Sequence, residues 1–355
     1  MTTIFASLEA LGAFCRGAFA AAGADAATAE AATAAMLHGT RFGVDSHGVR
    51  LLDHYVRALE GGRLNKAPRL AFTRSAGAVA MLDADDAQGA LAGYRAMDHA
   101  VEIAGEMGLG AVGITRSSHF GPAGAYALRA AEAGYIGLAV CNSDSLVRLH
   151  DGAARFHGTN PIAVGVPVAA EEPWLLDMAT SAIPFNRVQL YASLARVLPE
   201  GVASREDGTD TTDPAEVAML APLGGDHGYK GAALAGVAEI LSAVLTGMRL
   251  SFDLAPMAGP DFATPRGLGA FVLALRPEAF VDRAVFEAGM RRYRDSLRAS
   301  PPRGDGEVLA PGDREWVVAA RRSREGAPLD PATVAAFTRL SERLGLGLPW
   351  GPEGA

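Results

Sequence analysis

Residues suited to acting on a small anionic molecule gather in VDSHGVRLLDHYVRALEGG (44–62), where Asp45, Ser46, His47 and Arg50 surround Gly48 just ahead of a helical pattern. An imidazole gives or takes a proton near neutral pH, and a guanidinium three residues on offers a planar fork that matches a carboxylate. The same residues have an ordinary structural use. Asp45 or Ser46 suits a helix N-cap, and Gly48 eases a turn. The segment alone leaves both readings open.

Other segments add polar groups in chemically useful places. In TRSSHFGPAGAYALRAA (115–131) a strand ends in Ser117, Ser118 and His119, and Gly121, Pro122 and Gly124 then lead into a helix. A polar loop between strand and helix is where α/β proteins commonly hold ligands, although a turn with a surface histidine reads the same way. GTNPIAVGVPV (158–168) and DMATSAIPF (177–185) place amides and hydroxyls at strand ends, fit for phosphate oxygens or for capping. Lys230, with Lys66 the only lysine of the chain, stands where a Gly-rich turn enters the apolar run HGYKGAALAGVAEIL (227–241). It is either a phosphate contact or a solvated helix start.

Two further patterns are weighed against these. His150, Asp151 and His157 lie close together in RLHDGAARFHG, with His119 and His227 as additional candidates, but the spacing matches no HExxH or cysteine–histidine site. A metal-dependent hydrolase or lyase using His119, His150 and His157 is the alternative from another class. GLGAVG (108–113) satisfies G-x-G-x-x-G formally. Its context is inverted, with a helix before and a strand after, so Gly108 is expected to end the helix as a C-cap rather than to cradle a pyrophosphate.

The elements that must position these groups follow from periodicity. Helices are expected over 6–61: an amphipathic first helix through Leu8, Leu11, Cys15 and Phe19, an alanine-rich second (about 25–40), and a third carrying Arg50 and Tyr55. A hairpin is expected within 69–89, then helix 90–107, strand 111–115, helix 122–133, strand 136–142, and apolar runs at 162–168 and 174–178. The most hydrophobic helix spans 229–247, a late strand 269–277, a helix 278–298 with Phe280, Phe286, Met290 and Tyr293 on one face, and a final helix 331–344. Helical ends around a mixed middle imply that the two ends pack together.

Composition bounds the class. The chain has 355 residues, 49% hydrophobic and 20% charged, enough for a large core in two packed units. A net charge of −8 with scattered basic residues argues against a nucleic-acid surface. Cys15 and Cys141 are too few for a disulfide framework, and no run is long and apolar enough to span a membrane, so a cytoplasmic protein is expected. The N-terminal stretch lacks the positive start of a signal peptide.

Taken in order, SHGVR with Tyr55 and Asn65, SSHFGPAGAYA, CNSDSLV, GTNPIAVGVP, DMATS, LPEG with TTDP, GYKGAALAGVAEIL and PGDRE (311–315) resemble the malate/L-lactate dehydrogenase family that lacks a Rossmann domain. Its members include ureidoglycolate and sulfolactate dehydrogenases, diketogulonate reductase and piperideine/pyrroline-2-carboxylate reductases. The resemblance covers nearly the whole chain. It implies an α/β (α+β) fold with a discontinuous helical domain (1–72 and 278–355) and a mixed-sheet cofactor-binding domain (73–277). It also implies a homodimer, and hydride transfer between NAD or NADP and a 2-hydroxy/2-oxo acid, or reduction of a cyclic imino acid. Under it His47 and His119 are the acid/base candidates, and Ser46, Arg50 and Tyr55 face the substrate, Arg50 at its carboxylate. Ser143, Asp177, Met178, Ala179, Thr180, Ser181, Lys230, Gly312, Asp313 and Arg314 fall on cofactor positions, with no metal. Two departures stand out: RLHDG (148–152) replaces a Pro-x-Gly-Gly-like turn, and Ala270 stands where a histidine is common.

Overall fold

A computed structural model describes residues 3–193 and 195–351. The outermost residues of the expected helical domain, 1–2 and 352–355, lie outside the described residues.

The chain opens with β1 (Ile4–Ala6), α1 (Leu8–Ala21), α2 (Ala26–Arg41) and α3 (Leu52–Gly61). Ser7 and Asp25 cap α1 and α2 by accepting from Ala10 N and Thr28 N. The expected stripe of α1 is buried through Leu11, Phe14, Cys15, Ala18 and Phe19. It packs with Met36 of α2 and with Leu52, Tyr55, Val56 and Leu59 of α3. β13 (Ala327–Leu329) and α10 (Pro331–Leu344) complete this core from the far end of the chain: β13 pairs antiparallel with β1, and Phe337 stacks on Phe14 at 4.7 Å.

A seven-stranded sheet has the order β2-β3-β4-β12-β5-β8-β9, formed by Ala71–Ala76, Val79–Asp83, Leu109–Ser117, Leu268–Leu275, Ile136–Cys141, Ile162–Val166 and Trp174–Met178. Only β3 and β4 run parallel, joined through α4 (Gly89–Met107); every other neighbouring pair is antiparallel. This is not the parallel sheet on which a Rossmann fingerprint operates. Alternate residues serve opposite faces. Val112, Ile114, Val272 and Ala274 join the core with α4 and α5 (Gly124–Glu132), whereas Ala111, Val140 and Phe271 meet Ala238 of α7 (Tyr229–Glu239). A turn of π-helix, Ile240–Val244, continues α7 against β12.

The glycines of GLGAVG have packing duties. Gly108 ends α4 in the left-handed conformation, φ 85°, and a Cβ on Gly110 would lie 2.1 Å from the Ala100 carbonyl oxygen. Smaller elements complete the fold: a second sheet ordered β10-β11-β6-β7 (Ala203–Ser204, Met219–Leu220, Val147–Arg148, Arg155–His157), with α6 (Phe185–Ser193), α8 (Arg283–Arg298) and α9 (Asp313–Glu325).

Three expectations need correction. Arg50 does not lie on the third helix: it sits in a 3-10 turn, Val49–Leu51, because Gly48 is extended and Val49 N donates to Thr40 Oγ1 at 2.9 Å. Neither Asp45 nor Ser46 caps a helix, since both side chains are engaged elsewhere. The helix expected over 278–298 begins only at Arg283, so Phe280 is not part of its apolar face. Phe280 precedes the helix and is exposed, Tyr293 is exposed, and the one fully buried side chain of α8 is Arg294, which pairs with Glu171 before β9.

Candidate active site

The SHGVR turn is clamped between α2 and α9. Gly39 lies so close to the turn that a Cβ there would stand 2.6 Å from the His47 carbonyl oxygen. From α9, the buried Arg322 donates to the Thr40 carbonyl and to both carboxylate oxygens of Asp45, at 2.5 and 3.0 Å. Two parallel charge-assisted bonds fix this turn in place.

His119 arrives from the sheet, on the loop after β4, where its carbonyl oxygen packs so tightly on Gly89 that a Cβ there would lie 2.2 Å away. Its ring stacks nearly parallel on His47, with centroids 5.6 Å apart and planes 19° apart. Each Nδ1 has a hydroxyl partner: Ser46 Oγ for His47 at 2.9 Å and the Tyr55 phenol for His119 at 2.7 Å. Neither Nε2 has a hydrogen-bond partner among the described residues, and neither is sealed from solvent.

Burial favours the neutral form of both rings. It lowers His47 to about 4, and it takes His119 well below its usual range, aided by the neighbouring His47, His54 and Arg266. His54, beside Tyr55 and Phe262, is lowered to about 4, first by burial and then by Arg63, Arg266 and Arg57. Arg50, three residues after His47, has a side chain 40% exposed, with its guanidinium 3.6 Å from Asp330. Asp330 is occupied in capping α10, accepting from Ala332 N and Thr333 N. Arg50 therefore retains its donors for an incoming carboxylate.

The expected cofactor residues form a connected rim at the ends of β5, β8 and β9. Ser143 Oγ accepts from Thr159 N at 3.1 Å, and Thr180 donates through its amide and hydroxyl to the Thr159 carbonyl. Leu223 N donates to the Thr180 carbonyl, Gly231 N to the Leu223 carbonyl, and Ser181 bridges to Pro222. That chain of bonds ends at the first turn of α7, where Lys230 is exposed with Nζ 5.9 Å from the Tyr229 ring. Ala179 and Met178 lie partly buried on the same run as Asp177.

Asp177 receives Gly124 N at 3.0 Å. One side of Asp177 reaches solvent while protein packs around the rest of it. The carboxyl is accordingly pushed up to about 6, against the lowering effect of the Gly124 amide. The PGDRE segment runs beside this strand: Leu175 N donates to the Pro311 carbonyl at 3.2 Å, and Gly312, φ 96°, starts α9. Asp313 is committed to Arg298, whose guanidinium holds it below the usual carboxylate range, and Arg314 is exposed beside Glu315. The three histidines of the metal alternative are not brought together. His150 packs on Tyr229, His157 on Phe156 and His119 on Tyr55, and no metal-holding cluster occurs among the described residues.

Sequence reasoning missed the groups beneath this rim. Buried Glu239 accepts from Asn142, Asn160 and Ser251, and Asn160 Oδ1 in turn receives Ser143 N at 3.2 Å. Buried Arg266 pairs with Asp144 at 2.6 Å and leaves one terminal nitrogen without a partner. The one usable signal was a glutamate inside the most apolar helix, since a carboxylate there requires donors around it.

Comparison with known proteins identifies the family to which this fold belongs. A family model described as malate/L-lactate dehydrogenase matches residues 6–338. The malate dehydrogenase of Pyrococcus abyssi is 33% identical over 312 residues, 86% of this chain and 85% of its own length. The ureidoglycolate dehydrogenase (NAD(+)) of Escherichia coli is 30% identical over 285 residues, 80% of each chain. Among solved structures, malate dehydrogenase from Entamoeba histolytica superposes with a TM-score of 0.92 at 26% identity, covering 98% of this chain and all (100%) of the other. Delta1-piperideine-2-carboxylate reductase from Pseudomonas syringae gives a TM-score of 0.83 at 27% identity, covering 96% and 100%. With a family model matched over nearly the whole chain, relatives at 30% identity or more over most of their length and a fold that superposes throughout, the chain belongs to the malate/L-lactate dehydrogenase family and is a dehydrogenase or reductase.

Proposed function

We propose that the protein transfers hydride between a nicotinamide cofactor, NAD or NADP, and C2 of a small 2-hydroxy/2-oxo carboxylic acid. The observation that carries this reading is the stacked His47–His119 pair, each ring with a free Nε2, together with an exposed Arg50 three residues after His47 on the same turn. Arg50 holds the substrate carboxylate by two hydrogen bonds and so fixes C2. His119 takes the hydroxyl proton during oxidation and returns it during reduction, work that contributes about a hundred- to ten-thousand-fold in rate. His47 is its stacked neighbour and the second acid/base candidate.

The nicotinamide supplies the hydride. The rim fits such a group: exposed Lys230 offers a charge for phosphate oxygens, and the partnerless Asn142 Oδ1 and Ser145 Oγ flank Ser143. Ser143, Asp177–Ser181, Lys230 and Gly312–Arg314 would hold it. Initial rates with a panel of 2-oxo acids and cyclic imines, each with NADH and NADPH, test the proposal, and turnover of none of them sinks it. The second reading, reduction of a cyclic imino acid, is favoured by the likeness to piperideine-2-carboxylate reductase. Imines arrive partly protonated and need less help from the histidines.

Assembly and context complete the proposal. α7 and its π-turn leave Val237, Ile240, Val244 and Leu245 between 48% and 62% exposed, with Phe252 beside them. Tyr229, Leu234 and Phe156 add further exposed apolar surface, and large exposed apolar patches mark association sites. We take a second copy of this chain as its occupant, giving a homodimer. The core shared between α1–α3, β13 and α10 supports the packing of the two chain ends in the proposed division into a helical domain (1–72 and 278–355) and a cofactor-binding domain (73–277). Residues 71–76 form one strand across the first boundary, and Ala319 of α9 packs with the sheet core. Buried reduced Cys15 and Cys141 suit the cytoplasm, and no described helix is long and apolar enough to cross a membrane.

A further inference from the structure

We infer that Tyr55 is a positioning residue for the proton-transferring histidine: it holds His119 at Nδ1, so that Nε2 is the nitrogen that meets the substrate. The inference rests on the reading of His119 as the acid/base group and reassigns Tyr55 from the substrate to the imidazole. Tyr55 is 2% exposed, seated on α3 in the helical core with its ring 6.5 Å from Phe19. A hydroxyl buried this deeply is poorly placed to contact a ligand, and it already lies 2.7 Å from His119 Nδ1. Ser46 stands in the same relation to His47, so each imidazole of the stack has its Nδ1 occupied by a hydroxyl.

The direction of the bond follows from the chemistry. A neutral imidazole carries one proton, and a base must leave its reacting nitrogen bare. With Nδ1–H donating to the phenol oxygen, Nε2 is the bare nitrogen. During oxidation the substrate hydroxyl's proton passes to Nε2, and the C2 hydrogen leaves with its electron pair to the nicotinamide. A carbonyl and an imidazolium result, and the Nδ1–H bond to Tyr55 survives the step. Burial pushes the Tyr55 hydroxyl up, so it remains a neutral acceptor throughout. Because Tyr55 belongs to the helical core and His119 follows β4 of the sheet, this one bond also sets the reacting nitrogen against both elements.

Two measurements on the full chain test the inference. Nitrogen-15 histidine spectra of the protein, with His119 assigned by comparison with His119→Asn, are expected to show the Nδ1–H tautomer for His119; an Nε2–H tautomer overturns the inference. Tyr55→Phe is expected to lower kcat by about tenfold or more, to leave KM for the carboxylate substrate within about twofold, and to move the acid limb of the pH profile. A raised KM with kcat and pH profile unchanged makes Tyr55 a substrate contact instead, and unchanged kinetics throughout also overturns the inference. Full activity in His119→Asn defeats the acid/base reading itself, and the tautomer measurement still judges the Tyr55 bond separately.

Discussion

Asp45 and Arg322, 277 positions apart, form a two-point ion pair at 2.5 and 3.0 Å, and through it α9 holds the turn that carries His47 and Arg50. Arg322 also donates to the Thr40 carbonyl at the end of α2, so one guanidinium ties three segments together. Its side chain is 8% exposed while that of Asp45 is 50% exposed, which leaves the arginine as the partner with most to lose.

Replacing Arg322 by alanine should therefore loosen the turn more than it unfolds the protein. Half-solvated pairs contribute less than fully buried ones, so a loss of about 1–2 kcal/mol is expected, together with a fall in kcat/KM. Thermal melting and steady-state kinetics check this. Unchanged kcat/KM would separate the ion pair from the geometry of His47 and Arg50.

Arg50→Ala should cut kcat/KM for carboxylate substrates by about tenfold or more, the worth of a charge-assisted pair. Asp330 keeps its capping bonds to α10 in that variant, so melting should change little. An unaltered kcat/KM removes Arg50 from the substrate.

Acid should destabilise the protein earlier than its carboxylates alone require. His38 is lowered to about 3, His47 and His54 to about 4, and His119 well below its usual value, in each case chiefly by burial. Their folded values lie below the unfolded 6.5, so unfolding takes up protons between them. Stability is fully present above pH 6.5 and declines as pH falls from there toward 4. Denaturant melts across that window should show an uptake of about three protons near pH 5 on unfolding, since each of the four histidines gains close to one and Asp177, raised to about 6 in the fold, gives one back; an uptake near zero contradicts the burial of these rings. In the free enzyme both active-site rings are neutral at pH 7, so the acid limb of oxidative kcat/KM should lie well below 6.5.

Lys230→Ala should weaken cofactor binding with little effect on melting, because the side chain is exposed and makes no hydrogen bond or ion pair among the described residues. Fluorescence titration with NADH and NADPH measures this, and an unchanged Kd excludes a phosphate contact.

Much of the scaffold was legible because periodicity is local: α1, α2, α4, the β2–β3 hairpin and α10 follow directly from apolar spacing and caps. The inverted context of GLGAVG was equally legible, since a helix before and a strand after leave Gly108 a C-cap. The tethers of the site were not. Nothing near Asp45 announces Arg322, and nothing near His119 announces Tyr55, because ion pairs and hydrogen bonds across 277 and 64 positions leave no spacing to read. The packing of α8 was illegible for a related reason: an apolar stripe does not say what it packs against, and here Arg294 is the residue that turns inward.

The same ambiguity attends α7, whose apolar residues surround the helix. Such a helix is ordinarily buried on all sides, yet Ile240 is 57% and Val244 62% exposed. Both project from the π-turn that continues the helix bearing Lys230, so covering this face would also steady the cofactor rim through Gly231, Leu223 and Thr180. Ile240→Asp with Val244→Asp should place charges in a self-contact and yield a monomer by light scattering, with weaker cofactor binding. Each charge would otherwise sit in water, so the fold itself should survive. A wild-type monomer, or a double variant that remains dimeric, rules out this face as the contact between copies.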